Sequence, residues 1–353
     1  MYISILERIV SARYRVNHRD AQANMRARII YNPTSGREAI KREMLDILQV
    51  YESAGYETSA FATTPEPLSA AKEAKRAAEA GFDLIVAAGG DGTINEVVNG
   101  LAPLEKRPMM AVIPAGTTND YARALKLPRD EPLEAAKVIL QHETIKMDIG
   151  EIDQAGQTKY FMNIAALGTI SEVTYAVPSL MKSLYGYLAY LVKGTELITR
   201  IKPVNARVTY DDGEYSGKIS MIFLALTNSV GGFESIVPDA KLDDGKFTLL
   251  IIKESNLGQI LQMVAQMLNG GKHVDNPQLI YKKTNKVEIT PLDDDQLKVN
   301  LDGEYGGDAP MLFTDLQQHI EFVANRSGMP EAATISDQTK RQFMADVEKL
   351  DVK

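Results

Sequence analysis

The chain has 353 residues, 44% hydrophobic and 24% charged, a globular composition long enough for two domains. A net charge of -8 argues against a nucleic-acid partner, and the absence of cysteine excludes disulfide and thiolate-metal chemistry. The histidines at 18, 142, 273 and 319 show no ligand spacing, and no apolar run approaches the ~18 residues of a membrane-crossing helix, so a cytoplasmic protein is expected.

Residues 1–24 contain no glycine or proline and tilt basic. They read either as sequence upstream of the true domain start or as a basic amphipathic segment that touches membrane or a partner. From Met25 the chain alternates in the manner of a doubly wound sheet. A strand over Arg28 to Tyr31 runs into Asn32-Pro33-Thr34-Ser35-Gly36, a turn rich in backbone donors and hydroxyls. Helical spacing of Ile40, Met44, Ile47, Leu48 and Tyr51 predicts a helix over Glu38 to Ser53, capped by Gly55. A strand over Glu57 to Ala62 leads to Thr63, and an Ala/Glu/Lys-rich helix follows over Leu68 to Ala80.

Asp83 to Asn99 organises the rest. Its apolar strand breaks into Gly89-Gly90-Asp91-Gly92-Thr93 and then opens a helix from Ile94. Glycines let backbone approach a ligand, and the turn's N–H groups with the helix N-terminus favour an anion. Asp91 would repel a bare phosphate, so the turn reads as a site for a Mg²⁺-nucleotide. It is neither a P-loop, since G-x-x-x-x-G-K-[ST] is absent from the chain, nor a full dinucleotide fingerprint, since Asn95 stands where a third glycine belongs. A strand over Met109 to Ile113 then ends in Pro114-Ala115-Gly116-Thr117-Thr118-Asn119-Asp120. Ligands gather at the carboxyl ends of strands in such sheets, so four polar loops are expected to converge there.

From about Lys146 short β-like runs dominate: Met147 to Ile152, Tyr160 to Ala165, Ala206 to Tyr210, Gly217 to Asn228, Lys246 to Ile252, Lys286 to Thr290 and Gln296 to Leu301. Turns such as Asp211-Asp212-Gly213, Asp244-Gly245 and Asp302-Gly303 separate them, the signature of an antiparallel sandwich or barrel. Helices are expected over Pro178 to Thr199 and Leu257 to Asn269. The expected architecture is therefore α/β plus β: a Rossmann-like nucleotide domain over 25–147, an antiparallel β-sandwich over 148–326 whose end returns to the first domain, and a polar tail over 327–353.

NPTSG, GGDGTINEVVNG, IPAGTTNDYARAL, PDAKLDDG at 238–245 and VNLDGEYGG at 299–307, in this order, resemble the diacylglycerol kinase catalytic family in its soluble bacterial form. The resemblance spans about Met25 to Val323. It implies a lipid kinase that moves the γ-phosphate of ATP to the free hydroxyl of diacylglycerol at the inner face of the cell membrane, as a peripheral protein and a homodimer. The same Gly-Gly-Asp-Gly implies kinship with NAD kinases and phosphofructokinases, so that motif alone does not settle the substrate.

Carried over, the resemblance implies nucleotide contacts at Asn32, Pro33, Thr34, Ser35 and Gly36, at Thr63, at Gly89, Gly90, Asp91, Gly92, Thr93, Ile94 and Asn95, and at Thr117. Asp120 is either a helix N-cap or a second carboxylate for Mg²⁺ beside Asp91. The turn at 238–247 is similar to the family's structural magnesium site, with the Asp244 carboxylate and the main-chain oxygens of Lys241 and Lys246 as ligands. Glu304 matches the family's catalytic base, with Asp91 as the rival. An apolar, aromatic segment over Val177 to Val192 reads equally as a core helix or an acyl-chain lip, and Arg37, Arg42 and Lys182 are candidates for a basic membrane patch. A kinase for phosphatidylglycerol or a sphingoid base, or a non-catalytic lipid or nucleotide sensor on the same fold, is the alternative.

Overall fold

The computed structural model describes residues 25–116, 119–129, 131–154, 156–168, 202–228, 237, 240–268, 272–294 and 296–325. The expected helix over Pro178 to Thr199, the acyl-lip segment, residues 1–24 and the tail lie outside them.

Four parallel strands, β1 (Met25–Tyr31), β2 (Tyr56–Ala62), β3 (Leu84–Gly89) and β4 (Met109–Pro114), form a sheet in the order β2-β1-β3-β4. Every residue of β3 is buried, as a central parallel strand covered on both faces requires. Helices α1 (Ala39–Ser53), α2 (Ser69–Glu79) and α3 (Asp91–Leu101) connect the strands. Helix α1 buries Ile40, Ile47 and Tyr51, whose spacing keeps one face toward the sheet. It begins slightly later than its periodicity suggests, because residues Ser35–Glu38 form a 3-10 turn and Glu38 takes φ 64°. Helix α2 packs a face of Ala70, Ala74 and Ala77 that includes the buried Glu73. Two guanidinium groups reach that carboxylate, Arg28 at 2.6 Å and Arg76 at 2.6 Å, and hold its pKa below the usual range, the Arg76 bond first.

The chain crosses through short helices α4 (Asp120–Ala124) and α5 (Pro132–Lys137) into antiparallel structure. Strands β5 (Thr144–Gln154), β6 (Gln157–Phe161), β7 (Ile164–Gly168), β8 (Val204–Tyr210), β9 (Gly213–Ala225), β10 (Phe247–Lys253), β11 (Leu279–Thr284), β12 (Lys286–Pro291), β13 (Lys298–Leu301), β14 (Glu304–Asp308) and β15 (Met311–Val323) follow, with helix α6 (Leu257–Leu268) after β10. Their inward side chains, among them Phe161, Phe247 and Phe313, make a second core. The architecture is α/β plus an antiparallel β-sandwich.

Strand β15 joins the two parts. Its first half pairs with β12, its length with β5, and its end with β4, Phe322 opposite Met110. The register against β5 shifts between Leu316 and Ile320, where Gln318 has φ 49°. Neither β11, β14 nor β15 stands out in the sequence as a strand. A second departure lies at Tyr160 to Ala165, which reads as one strand but divides into β6 and β7 at Met162-Asn163. The cause of that break is part of the candidate site.

Candidate active site

The loops after β1, β3 and β4 meet backbone to backbone. Asn32 N–H donates to the Ala88 carbonyl at 2.9 Å and Ala115 N–H to that of Gly89 at 2.8 Å. Asn119 donates its N–H to a carboxylate oxygen of Asp91 at 3.1 Å, while its own amide brackets Gly116, accepting that residue's N–H at 2.8 Å and donating to its carbonyl at 2.8 Å. The loops pack so closely that a Cβ on Gly116 would lie 2.9 Å from Gly90 Cα. Gly36, at φ +57°, would bring a Cβ to 3.0 Å from that of Ala115, so glycine is favoured there by conformation and by space. Three of the four loops expected to converge therefore do so. The fourth is adjacent, since Thr63 N–H continues the β1-β2 ladder to the Tyr31 carbonyl at 2.9 Å.

Within the first loop the Asn32 side-chain oxygen accepts the N–H of Thr34 at 3.0 Å and its hydroxyl at 2.9 Å, which sets the turn. Helix α3 starts at Asp91, earlier than its apolar spacing shows, so Gly92 and Thr93 belong to its first turn. The cap before α4 is Asn119, in the left-handed region, and Asp120 is the first helical residue; the N-cap reading of Asp120 is thereby replaced. The bond from Asn119 to Asp91 brings the loop before Asp120 to the head of α3, so the starts of α3 and α4 lie together at the ends of β3 and β4. Thr117 lies outside the described residues.

One turn along α3 from Asp91, Asn95 donates its amide to a carboxylate oxygen of Asp302 at 3.0 Å. That oxygen also accepts the N–H of Met162 at 2.8 Å, and the other accepts those of Asn163 and Ile164, each at 2.9 Å. The break between β6 and β7 follows, because these three N–H groups turn toward Asp302 and leave the strand ladder. Burial pushes the Asp302 carboxyl up, against the pull of its backbone and Asn95 bonds. A turn further on, Asn99 exchanges two bonds with the Tyr160 backbone, both 2.9 Å. Asp302 and Gly303, at φ 51° and 99°, form the two-residue loop between β13 and β14, with Leu301 paired to Glu304. Glu304 is thus the exposed first residue of β14, directly after the loop anchored to α3.

The expected magnesium turn carries more carboxylate than its motif discloses. Asp148, on β5 opposite the irregularity in β15, accepts the N–H of Gly245 at 2.6 Å and of Gln318 at 2.7 Å. Burial raises its pKa, with the charges of Asp244 and Asp243 adding. Among the described residues, one oxygen of Asp244 and both of Asp315 are buried with no hydrogen-bond partner. The Asp315 carboxyl is pushed up to about 8 by burial first and by Asp148 and Asp244 next. Orphaned, mutually repelling carboxylate oxygens are what a hard cation satisfies. No three acidic or histidine groups among the described residues form a complete cage, so a bound ion would take main-chain oxygens or water as well. Bonds that fix the turn use the carbonyls of Leu242, Asp243 and Gly245. The residues fit a magnesium ion. Asp148 and Asp315 carry no signal in the sequence beyond a polar residue inside an apolar strand.

A third junction also escapes sequence reading. Arg107 donates to the His319 carbonyl at 2.7 Å and to those of Ala102 and Leu104, while the His319 ring bonds Ala102 O at 2.8 Å and stacks on Tyr160. Burial lowers the His319 pKa. Of the basic membrane candidates, Arg42 is exposed on α1, while Lys182 and the Arg37 side chain lie outside what is described.

Residues 26–152 match the model of the diacylglycerol kinase catalytic domain, and residues 165–324 that of the YegS C-terminal NAD kinase beta sandwich-like domain. A relative named diacylglycerol kinase from Bacillus subtilis (strain 168) is 49% identical over 298 residues, 84% of this chain and 96% of its own. The chain belongs to the diacylglycerol kinase family. A second kinase of that name, from Staphylococcus epidermidis, is 49% identical over 88% of this chain and 96% of its own. A crystal structure from Bacillus anthracis str. Sterne superposes with a TM-score of 0.74 at 27% identity, covering 87% of this chain and 97% of its own. In this chain the glycine turn and the Asp302-Gly303-Glu304 hairpin fall in two separately matched regions, which the Asn95 bond connects.

Proposed function

We propose that the protein is an ATP-dependent diacylglycerol kinase that forms phosphatidate at the inner face of the cell membrane. The observation carrying this reading is the bond between Asn95, on the helix that opens at Asp91, and Asp302, in the turn before Glu304. It links a phosphate-handling turn to an exposed carboxylate, in a chain 49% identical to a relative named diacylglycerol kinase. No helix among the described residues is long and apolar enough to cross a membrane, so the reading places the lipid at a protein surface.

Phosphoryl transfer asks little covalent work of a protein, mainly alignment, charge neutralisation and one group to take a proton. Asn32 to Gly36, Thr63, Gly89 to Ile94 and Thr117 cradle the nucleotide with backbone donors and hydroxyls, whereas the side chain of Asn95, which the resemblance counts among these contacts, is given to Asp302. Asp91 and Asp120 hold Mg²⁺, which when bound neutralises phosphate charge. Asp244 and the Lys241 and Lys246 carbonyls hold a second, structural ion. Glu304 accepts the proton of the diacylglycerol hydroxyl as that oxygen bonds the γ-phosphorus and the bond to ADP breaks; Asp91 is the rival for this role.

The test is transfer from ATP radiolabelled at its γ-phosphate to diacylglycerol, phosphatidylglycerol and a sphingoid base in mixed micelles. Label in phosphatidate supports the reading. Label only in another lipid reassigns the acceptor, and tight ATP binding with no transfer to any lipid makes the protein a sensor.

A further inference from the structure

We propose that Asp302 is a positioning residue for phosphoryl transfer, which holds Glu304 in fixed geometry to the glycine-turn helix through Asn95. The proposal rests on the reading of Glu304 as the base. The chain of contacts is short: Asp91 and Asn95 lie one turn apart on α3, Asn95 donates to Asp302 at 3.0 Å, and only Gly303 separates Asp302 from Glu304.

Three features make this link stiff. The hairpin loop has two residues, both at positive φ, so the direction in which Glu304 leaves it has little freedom. Three consecutive N–H groups, Met162 to Ile164, grip the same carboxylate and fix Asp302 to the β6-β7 connection. Asn99 bonds both backbone groups of Tyr160, so α3 cannot slide along β6 without breaking two further bonds. A shift of about 1 Å at a reacting group can cost 10²-fold in rate, so a link of this kind bears on turnover.

The side-chain type at 302 follows from the donors. Four N–H groups converge on two oxygens, and only an acceptor-only group suits all four; asparagine would aim its own NH₂ at a donor. The Asn95 amide is also committed, donating to Asp302 and accepting from Asn99 at 3.1 Å. Its side chain therefore serves the junction, which separates its role from those of the glycines before it.

Asn95→Ala removes the link while leaving the three backbone bonds to Asp302, and alanine favours the helix. The experiment is a cycle of wild type, Asn95→Ala, Glu304→Gln and the double variant, all full length. Melting temperature, ATP affinity by calorimetry, and kcat and KM on diacylglycerol micelles are measured for each. The expected result is a kcat lowered about tenfold or more by Asn95→Ala, with ATP affinity within about twofold, and a further loss under about twofold when Glu304→Gln is already present. An equal loss in both backgrounds, an effect confined to the KM or affinity for ATP, or an unchanged kcat overturns the proposal and leaves the base assignment standing. A Glu304→Gln enzyme within about twofold of wild type overturns the base assignment itself, and the positioning role with it.

Discussion

Asp302 and Asp315 each place a carboxylate among apolar strands of the second half, and the two sites differ in what meets it. Four donors converge on Asp302. At Asp315 neither oxygen has a hydrogen-bond partner among the described residues, and the charges of Asp148 and Asp244 act with burial to push its pKa up. A carboxylate with its donors supplied by backbone is a fastener of the fold. One whose only electrostatic company is other carboxylates costs stability until a cation arrives. The first is a permanent junction beside the proposed base, and the second is a site that a bound cation would stabilise.

The largest expected effect concerns what each junction serves. Glu304→Gln keeps volume and loses basicity, so kcat should fall on the order of 10²- to 10⁴-fold with ATP affinity little changed, read from kinetics beside calorimetry. Asp91→Asn should disturb both turnover and nucleotide affinity, because it removes charge that organises the metal-nucleotide. Retained turnover in Glu304→Gln would move the base to Asp91.

Next comes Asp302→Ala, which strands the buried N–H groups of Met162, Asn163 and Ile164 at roughly 1–3 kcal/mol each, a large loss in denaturant unfolding with or without magnesium. Asp315→Asn should act in the opposite sense. In chelator it relieves repulsion and raises the melting temperature by a few degrees, roughly 2–4 °C per kcal/mol for a domain of this size, while abolishing the rise that magnesium gives the wild type. Asp244→Ala should lose that rise as well and weaken activity. If magnesium leaves wild-type melting unchanged, the contrast between the two aspartates collapses.

The smallest effect is at His319. Burial depresses its folded pKa below the ordinary value of ~6.5, so the unfolded chain takes up the proton first as pH falls. The contribution to stability is present above about 6.5 and is lost as pH falls below it, toward the folded value. His319→Gln should flatten this part of the pH dependence of urea unfolding between pH 7.5 and 5.5; an unchanged slope would show that the ring titrates alike in both states.

Much of the first half was legible because its information is local. The all-buried run of β3, the αL glycines 55 and 81 after α1 and α2, and the crowded strand-end glycines all leave marks within a few residues of sequence. The hairpin at Asp302-Gly303 was legible for the same reason, as a turn. The fastening of that turn was not, because Asn95 and Asp302 stand 207 positions apart and neither looks unusual beside its neighbours. Strand β15 was missed since its buried face, Met311, Phe313, Asp315 and then Ile320, is interrupted by an aspartate and a register shift that defeat a period of two.

By itself, then, the sequence determined the alternation of strands and helices, the glycine turn with its aspartate, the sandwich-like second half and the family, all of which rest on periodicity and on contiguous motifs. The tertiary structure alone decided that Asp302 ties the hairpin before Glu304 to α3, that Asp148 and Asp315 join Asp244, and that β15 runs from one sheet to the other. Those outcomes depend on which distant polar groups are left without water when the two cores close, and that is settled by packing in three dimensions.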